Sequence, residues 1–164
     1  MKSTACLIAD FLSGAGDKCW ITRQLEVVAD DEVVSLFVNA VTDWNELETV
    51  RIEILKALPL RSDTAPNRER LGTAALTVLL KDPESLVRSY AAMALRHYID
   101  LDGVLASLVV VVRDECDDID VRYNALDAIE SNTDSAACVQ ALRKLVDVPK
   151  LGESAQRVLN QLGR

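Results

Sequence analysis

Aromatic residues are scarce in this chain, at 4%. A core that lacks Tyr and Trp must be filled by Leu, Val, Ile and Ala, which suits closely packed helices and argues against an aromatic-rich β-sandwich. Glycine and proline are also few, six and four in 164 residues, and no low-complexity run occurs. Their shortage argues against disorder. Histidine occurs once, at His97, and the cysteines Cys6, Cys19, Cys116 and Cys138 form no Cys-x-x-Cys pair. That leaves no paired-ligand spacing for a metal and no recognisable setting for a cysteine nucleophile. The cysteines are expected as reduced, small buried groups, with a Cys6–Cys19 disulfide as the alternative. Gly14 and Gly16 are followed by no Lys-Ser/Thr, so a phosphate loop is absent. The longest uncharged runs, Gly103 to Val112 among them, fall far short of a membrane span.

Positive charge is in the minority. Lys and Arg number 18 against 26 Asp and Glu, a net charge of −8. An acidic surface repels phosphate backbones and anionic lipid heads, so neither nucleic acid nor membrane is an expected partner. Solubility, or a basic protein partner, remains. The first twelve residues resemble a signal peptide in their apolar run, but Asp10 interrupts it and no small-residue cleavage site follows cleanly. They read better as a first amphipathic helix, and the expected location is the cytoplasm. The length fits one domain.

What the chain does have is a repeat. Val50-Arg51-Ile52-Glu53-Ile54-Leu55-Lys56-Ala57-Leu58 is matched by Val87-Arg88-Ser89-Tyr90-Ala91-Ala92-Met93-Ala94-Leu95 and by Val121-Arg122-Tyr123-Asn124-Ala125-Leu126-Asp127-Ala128-Ile129. The motif returns after 37 residues (50 to 87) and again after 34 (87 to 121). A helical motif at this period marks an α-solenoid of paired helices. From Val87, positions four, seven and eight residues on are Ala91, Ala94 and Leu95, one stripe of a helix.

Each Val-Arg segment is the second helix of a pair. The first helices are expected over 30–42, with Val33, Val34, Phe37, Val38 and Val41 inward, and after Pro66, with Leu71, Ala74, Ala75, Val78 and Leu79 inward. Asp30 or Asp31 caps the former and Thr64 or Asp63 the latter. The helix after Ser85 carries Leu86, Val87, Ala91, Ala94 and Leu95 and ends near Ile99. The four-valine run Val109–Val112 reads alone as a strand. Its place in the repeat demands a helix, with Leu105, Leu108, Val109 and Val112 inward, because packing outweighs a propensity of tenths of a kcal/mol per residue. Weaker copies close the ends, with Thr22-Arg23 a faded Val-Arg. The approximate units are 1–29, 30–61, 62–99, 100–132 and 133–164.

The stretch from Leu79 through Asp82-Pro83 to Val87-Arg88 and Leu95 resembles the HEAT family, an armadillo-like class, and more closely the short bacterial HEAT-like repeats of phycobilin-lyase type. The resemblance implies an all-α, right-handed superhelix of about five helical pairs. It also implies that Arg51, Arg88 and Arg122 form a structural row paired with turn aspartates, Asp82 first among them, with Asp43, Asp114 and Asp117 as others. An anion-binding row is the alternative. The acidic run from Asp114 to Asp120 lacks the ligand spacing and glycine of a calcium loop and reads as a capped, solvated turn, with a contact for a basic partner as the alternative.

In such stacks the second helices line the concave side. Their outward stripes are Ile52, Ser89 and Tyr123, then Glu53, Tyr90 and Asn124, then Lys56, Met93 and Asp127, with His97 near one end. Tyr and Met among scattered charges suit a protein interface. The expected binding face is therefore Glu53, Lys56, Tyr90, Met93, His97, Tyr123, Asn124 and Asp127. No catalytic residue, cofactor or metal is expected. The function read from the sequence is a non-enzymatic protein-binding scaffold or adaptor. Its alternatives are an immunity-type inhibitor of a basic toxin and, in another class, a HEAT-like lyase or enzyme subunit.

Overall fold

A computed structural model describes residues 2–163. Among the described residues there are ten α-helices, one 3₁₀ turn and no strand, so the fold is all-α. The helices are α1 Thr4–Ser13, α2 Lys18–Leu25, α3 Asp31–Val41, α4 Glu48–Ala57, α5 Ala65–Lys81, α6 Ser85–Leu95, α7 Val104–Arg113, α8 Ile119–Glu130, α9 Ala136–Arg143 and α10 Gly152–Gln161. The 3₁₀ turn, Leu58–Leu60, follows α4 where Pro59 removes a backbone donor.

Local chemistry sets the ends. Ser3, Asp17, Asp30 and Asp118 accept hydrogen bonds from free N–H groups at the starts of α1, α2, α3 and α8. Thr64 occupies the cap position of α5 without a side-chain bond, and a proline stands in that first turn. Gly14 ends α1 in the left-handed region at φ 70°. At Gly152 a Cβ would lie 2.2 Å from the Val146 carbonyl oxygen, so only glycine lets α10 start against the preceding turn.

Helices pack in sequence-neighbouring pairs: α1 with α2, α3 with α4, α5 with α6, α7 with α8, α9 with α10. The second helices also touch in a row, α2 to α4 to α6 to α8 to α10, and the first helices α3, α5 and α7 do likewise. Buried Val, Leu, Ile and Ala fill the space between the rows, with Phe11 and Phe37 the only phenylalanines. The apolar stripe of α5 is buried as expected, and so are Val33, Val34, Phe37 and Val41 on α3.

The valine run is helical. Leu108 and Val112 are buried, Leu105 and Val109 are half-buried against the core, and Val110 is 64% exposed. Other expectations need correction. Leu86 is 56% exposed, because it precedes the first inward position of α6 by about 100° of helix rotation. That helix stops at Leu95, four residues before Ile99. Of the cysteines only Cys138 is buried, and Cys6 and Cys116 are exposed, all as free thiols.

The arginine row is tied down one pair ahead. Buried Arg51 on α4 pairs with Asp82, in the turn between α5 and α6. Arg88 on α6 pairs with Asp117, in the turn between α7 and α8, with one N–H···O contact of 2.9 Å. Arg122 breaks the series: its Nε donates to the Val112 carbonyl at 3.1 Å, and a terminal nitrogen is buried without a partner. Asp147, in the following turn, is held by Arg113 instead. Asp43 and Asp114 are exposed and bond within their own loops, accepting from the backbone N–H of Asn45 and Cys116.

Candidate docking face

Positions on α4, α6 and α8 that do not enter the core project along one side of the row of second helices. Around the middle of α6 they enclose two adjoining depressions. The first, about 350 Å³, is lined by Leu55, Lys56, Pro59, Tyr90, Met93, Ala94, Arg96, His97 and Asp127. The second, about 320 Å³, is lined by Ser85, Leu86, Ser89, Tyr90, Met93, Asp118, Asp120, Tyr123 and Asn124. Tyr90 and Met93 belong to both.

Of the eight residues read from the sequence, seven line these two depressions. Glu53 does not. Its carboxylate accepts from Lys56 Nζ at 2.7 Å and Arg23 Nε at 2.9 Å. Those cations hold Glu53 below the usual carboxylate range. The outermost stripe also differs from expectation. Tyr123 is 53% exposed, but Ser89 is buried and Ile52 packs against the core. Leu86 and Arg96 were not anticipated at the face, and Asp118 and Asp120 come from the acidic run read first as a solvated turn and otherwise as a contact for a basic partner. They lie before or after the repeated nine-residue motif, where alignment of the repeat gave no signal.

The depressions are apolar at the centre and charged at the rim. Met93 is 45% exposed, a large apolar side chain facing water beside two tyrosines. His97 has its pKa lowered by partial burial first and by the neighbouring Arg96 guanidinium second. Its ring makes no hydrogen bond among the described residues. The third tyrosine, Tyr98, is buried. Its hydroxyl donates to the Leu58 carbonyl at 3.2 Å, and burial pushes its pKa to about 12.

A larger concavity, about 580 Å³, lies between α1 and α3, over Phe11 and Leu36 and beneath Asp31, Glu32 and Asp43. Its one cation, Lys18, is engaged by Glu46 and sits 4.9 Å from the Phe11 ring centroid. None of the predicted face residues reaches it. Among the described residues, no group of three or more His, Cys, Asp and Glu converges to hold a metal ion. No helix among them is long and apolar enough to cross a membrane.

No protein-family model matches the chain, and no curated protein matches it.

Proposed function

We propose that this protein is a non-enzymatic protein-binding module, a HEAT-like right-handed solenoid of about five helical pairs. It docks a partner protein on the inner face formed by α4, α6 and α8. The observation that carries this reading is the gathering of Tyr90, Met93 and Tyr123 with Lys56, His97, Asn124 and Asp127 around two connected depressions. Exposed Tyr and Met offer contact area at low entropic cost, and partners concentrate their affinity on such anchors. The two contact rows of first and second helices support a solenoid path. The reading puts the protein in the cytoplasm, and four unpaired cysteines support a reducing compartment.

The test compares the proteins captured by the wild-type chain with those captured by Tyr90→Ala and Tyr123→Ala. Each substitution weakens a face-dependent complex by about 1–3 kcal/mol. Tyr123→Ala leaves the unfolding midpoint unchanged, whereas Tyr90→Ala also lowers it, because the half-buried Tyr90 ring packs against the core. Partners retained in full by the double variant would count against this face. An inhibitor of a basic toxin is a narrower form of the same reading. It is favoured by the acidic rim at Asp118 and Asp120, and it predicts a partner of high isoelectric point. An enzyme of the lyase type predicts instead that changing His97 abolishes a turnover while affinity is kept.

A further inference from the structure

We infer that the segment seated on this face is a one-sided basic segment of a partner protein: an apolar side chain over Tyr90 and Met93, with Lys or Arg at the Asp118–Asp120 end and none at the other. The inference rests on the docking reading above and describes the occupant of that same site.

The two depressions share their centre and differ at their far ends. One end carries the carboxylates of Asp118 and Asp120. Asp118 accepts from the Asp120 backbone N–H at 2.8 Å, an α8 cap that leaves its charge in place. The helix start offsets roughly half a unit of positive charge against two carboxylates, so a negative surplus remains. Asp117, next to them, is already neutralised by Arg88. At the other end Lys56 is already engaged by Glu53, which leaves Arg96 beside the carboxylate of Asp127 and no negative surplus. Arg96 is exposed and forms no ion pair among the described residues.

Ser85 lines one depression and Arg96 the other, and helical rise separates them by about 16 Å. That exceeds the screening length of about 8 Å at physiological salt. The acidic end therefore attracts a cation and the other end does not, and the net charge of the whole chain does not decide the matter. A span of about 16 Å takes roughly five extended residues or eleven helical ones. Leu86, Tyr90, Met93 and Tyr123 supply the apolar floor between the ends.

A random-peptide library displayed on phage and selected on the full chain tests this. The selected sequences should carry an apolar residue with Lys or Arg on one side of it only. A synthetic copy with that cation moved to the opposite side should bind about tenfold more weakly. The double substitution Asp118→Asn with Asp120→Asn should cost a similar factor while keeping the α8 cap, since asparagine caps as well as aspartate. Selected peptides that lack Lys and Arg, carry them on both sides, or bind the Asn variant undiminished overturn the inference. If those same peptides still lose affinity on Tyr90→Ala, the docking face stands and only its charge reading fails. Peptides indifferent to both Tyr90→Ala and Tyr123→Ala, or a selection with no binder, overturn both.

Discussion

The Arg51–Asp82 pair is closed to water, with side-chain exposures of 2% and 0%. Removing one partner of a buried pair leaves the other charge stranded. Asp82→Ala is expected to lower stability by about 3–5 kcal/mol, measured by denaturant unfolding. Asp117→Ala should cost clearly less, because Arg88 is partly exposed and water can take over its hydration. Glu130 is the opposite case. Burial raises its pKa above the ordinary carboxylate value, outweighing Ser154 and Arg157, and one of its oxygens is buried without a partner. Folded Glu130 therefore holds its proton better than unfolded Glu130. That contribution is fully present below the unfolded pKa and is lost as pH rises through the folded one. Glu130→Gln should raise the unfolding temperature at neutral pH and narrow its advantage in acid, read from thermal scans across that range. The arginine row was legible in the sequence because its spacing repeats. Two of its partners, Asp82 and Asp117, were named from the resemblance, but not which arginine each serves: Asp82 serves the arginine 31 residues before it, and Arg122 finds only a carbonyl. Arg61, buried with Asp63 and donating to the Leu25 and Val28 carbonyls, gave no repeating signal at all.

At the scale of the helix, α7 shows a period overriding a propensity. Four consecutive valines favour extended backbone, yet Leu108, Val111 and Val112 are buried on one face of a helix. Val110 points outward, where β-branching carries a helix penalty and no packing gain. Val110→Ala should stabilise the protein by about 0.5 kcal/mol. Val112→Ala removes two buried methyl groups and should destabilise it by about 2 kcal/mol. Denaturant midpoints of the two variants should move in opposite directions. Matching shifts would mean that the run is held by something other than this helical face. Helix existence was legible throughout from the 3.6-residue period. Helix ends were less so, since α6 stops short of Ile99 where carbonyls are taken by turns and by distant arginines. Arg68 donates to the His97 carbonyl at 2.6 Å, and Arg113 binds that of Lys144.

Across the whole molecule, every substantial helix contact joins helices no more than two apart in the chain. Stability is then close to a sum of pair terms and neighbour interfaces. A chain ending at residue 132 should keep the helical circular-dichroism signal of α1–α8, with a lower unfolding midpoint. Complete loss of that signal would show that the last pair organises the rest. The candidate face is a product of this stacking. Tyr90 and Tyr123 lie 33 residues apart in sequence (90 to 123) and share one depression because α6 lies on α8.

Local pattern alone determined the helices of this protein, their grouping in twos and most of their inward residues, because a helix's apolar stripe is written within a dozen neighbouring positions. Contact between α4, α6 and α8 decided the rest. It left Tyr123 facing water and Tyr90 half-buried between two depressions, gave Asp82 to Arg51, and set Asp118 and Asp120 at one end of the face and Arg96 at the other. Those outcomes depend on which surfaces remain uncovered after packing, a property of residues about thirty positions apart that no single helix carries.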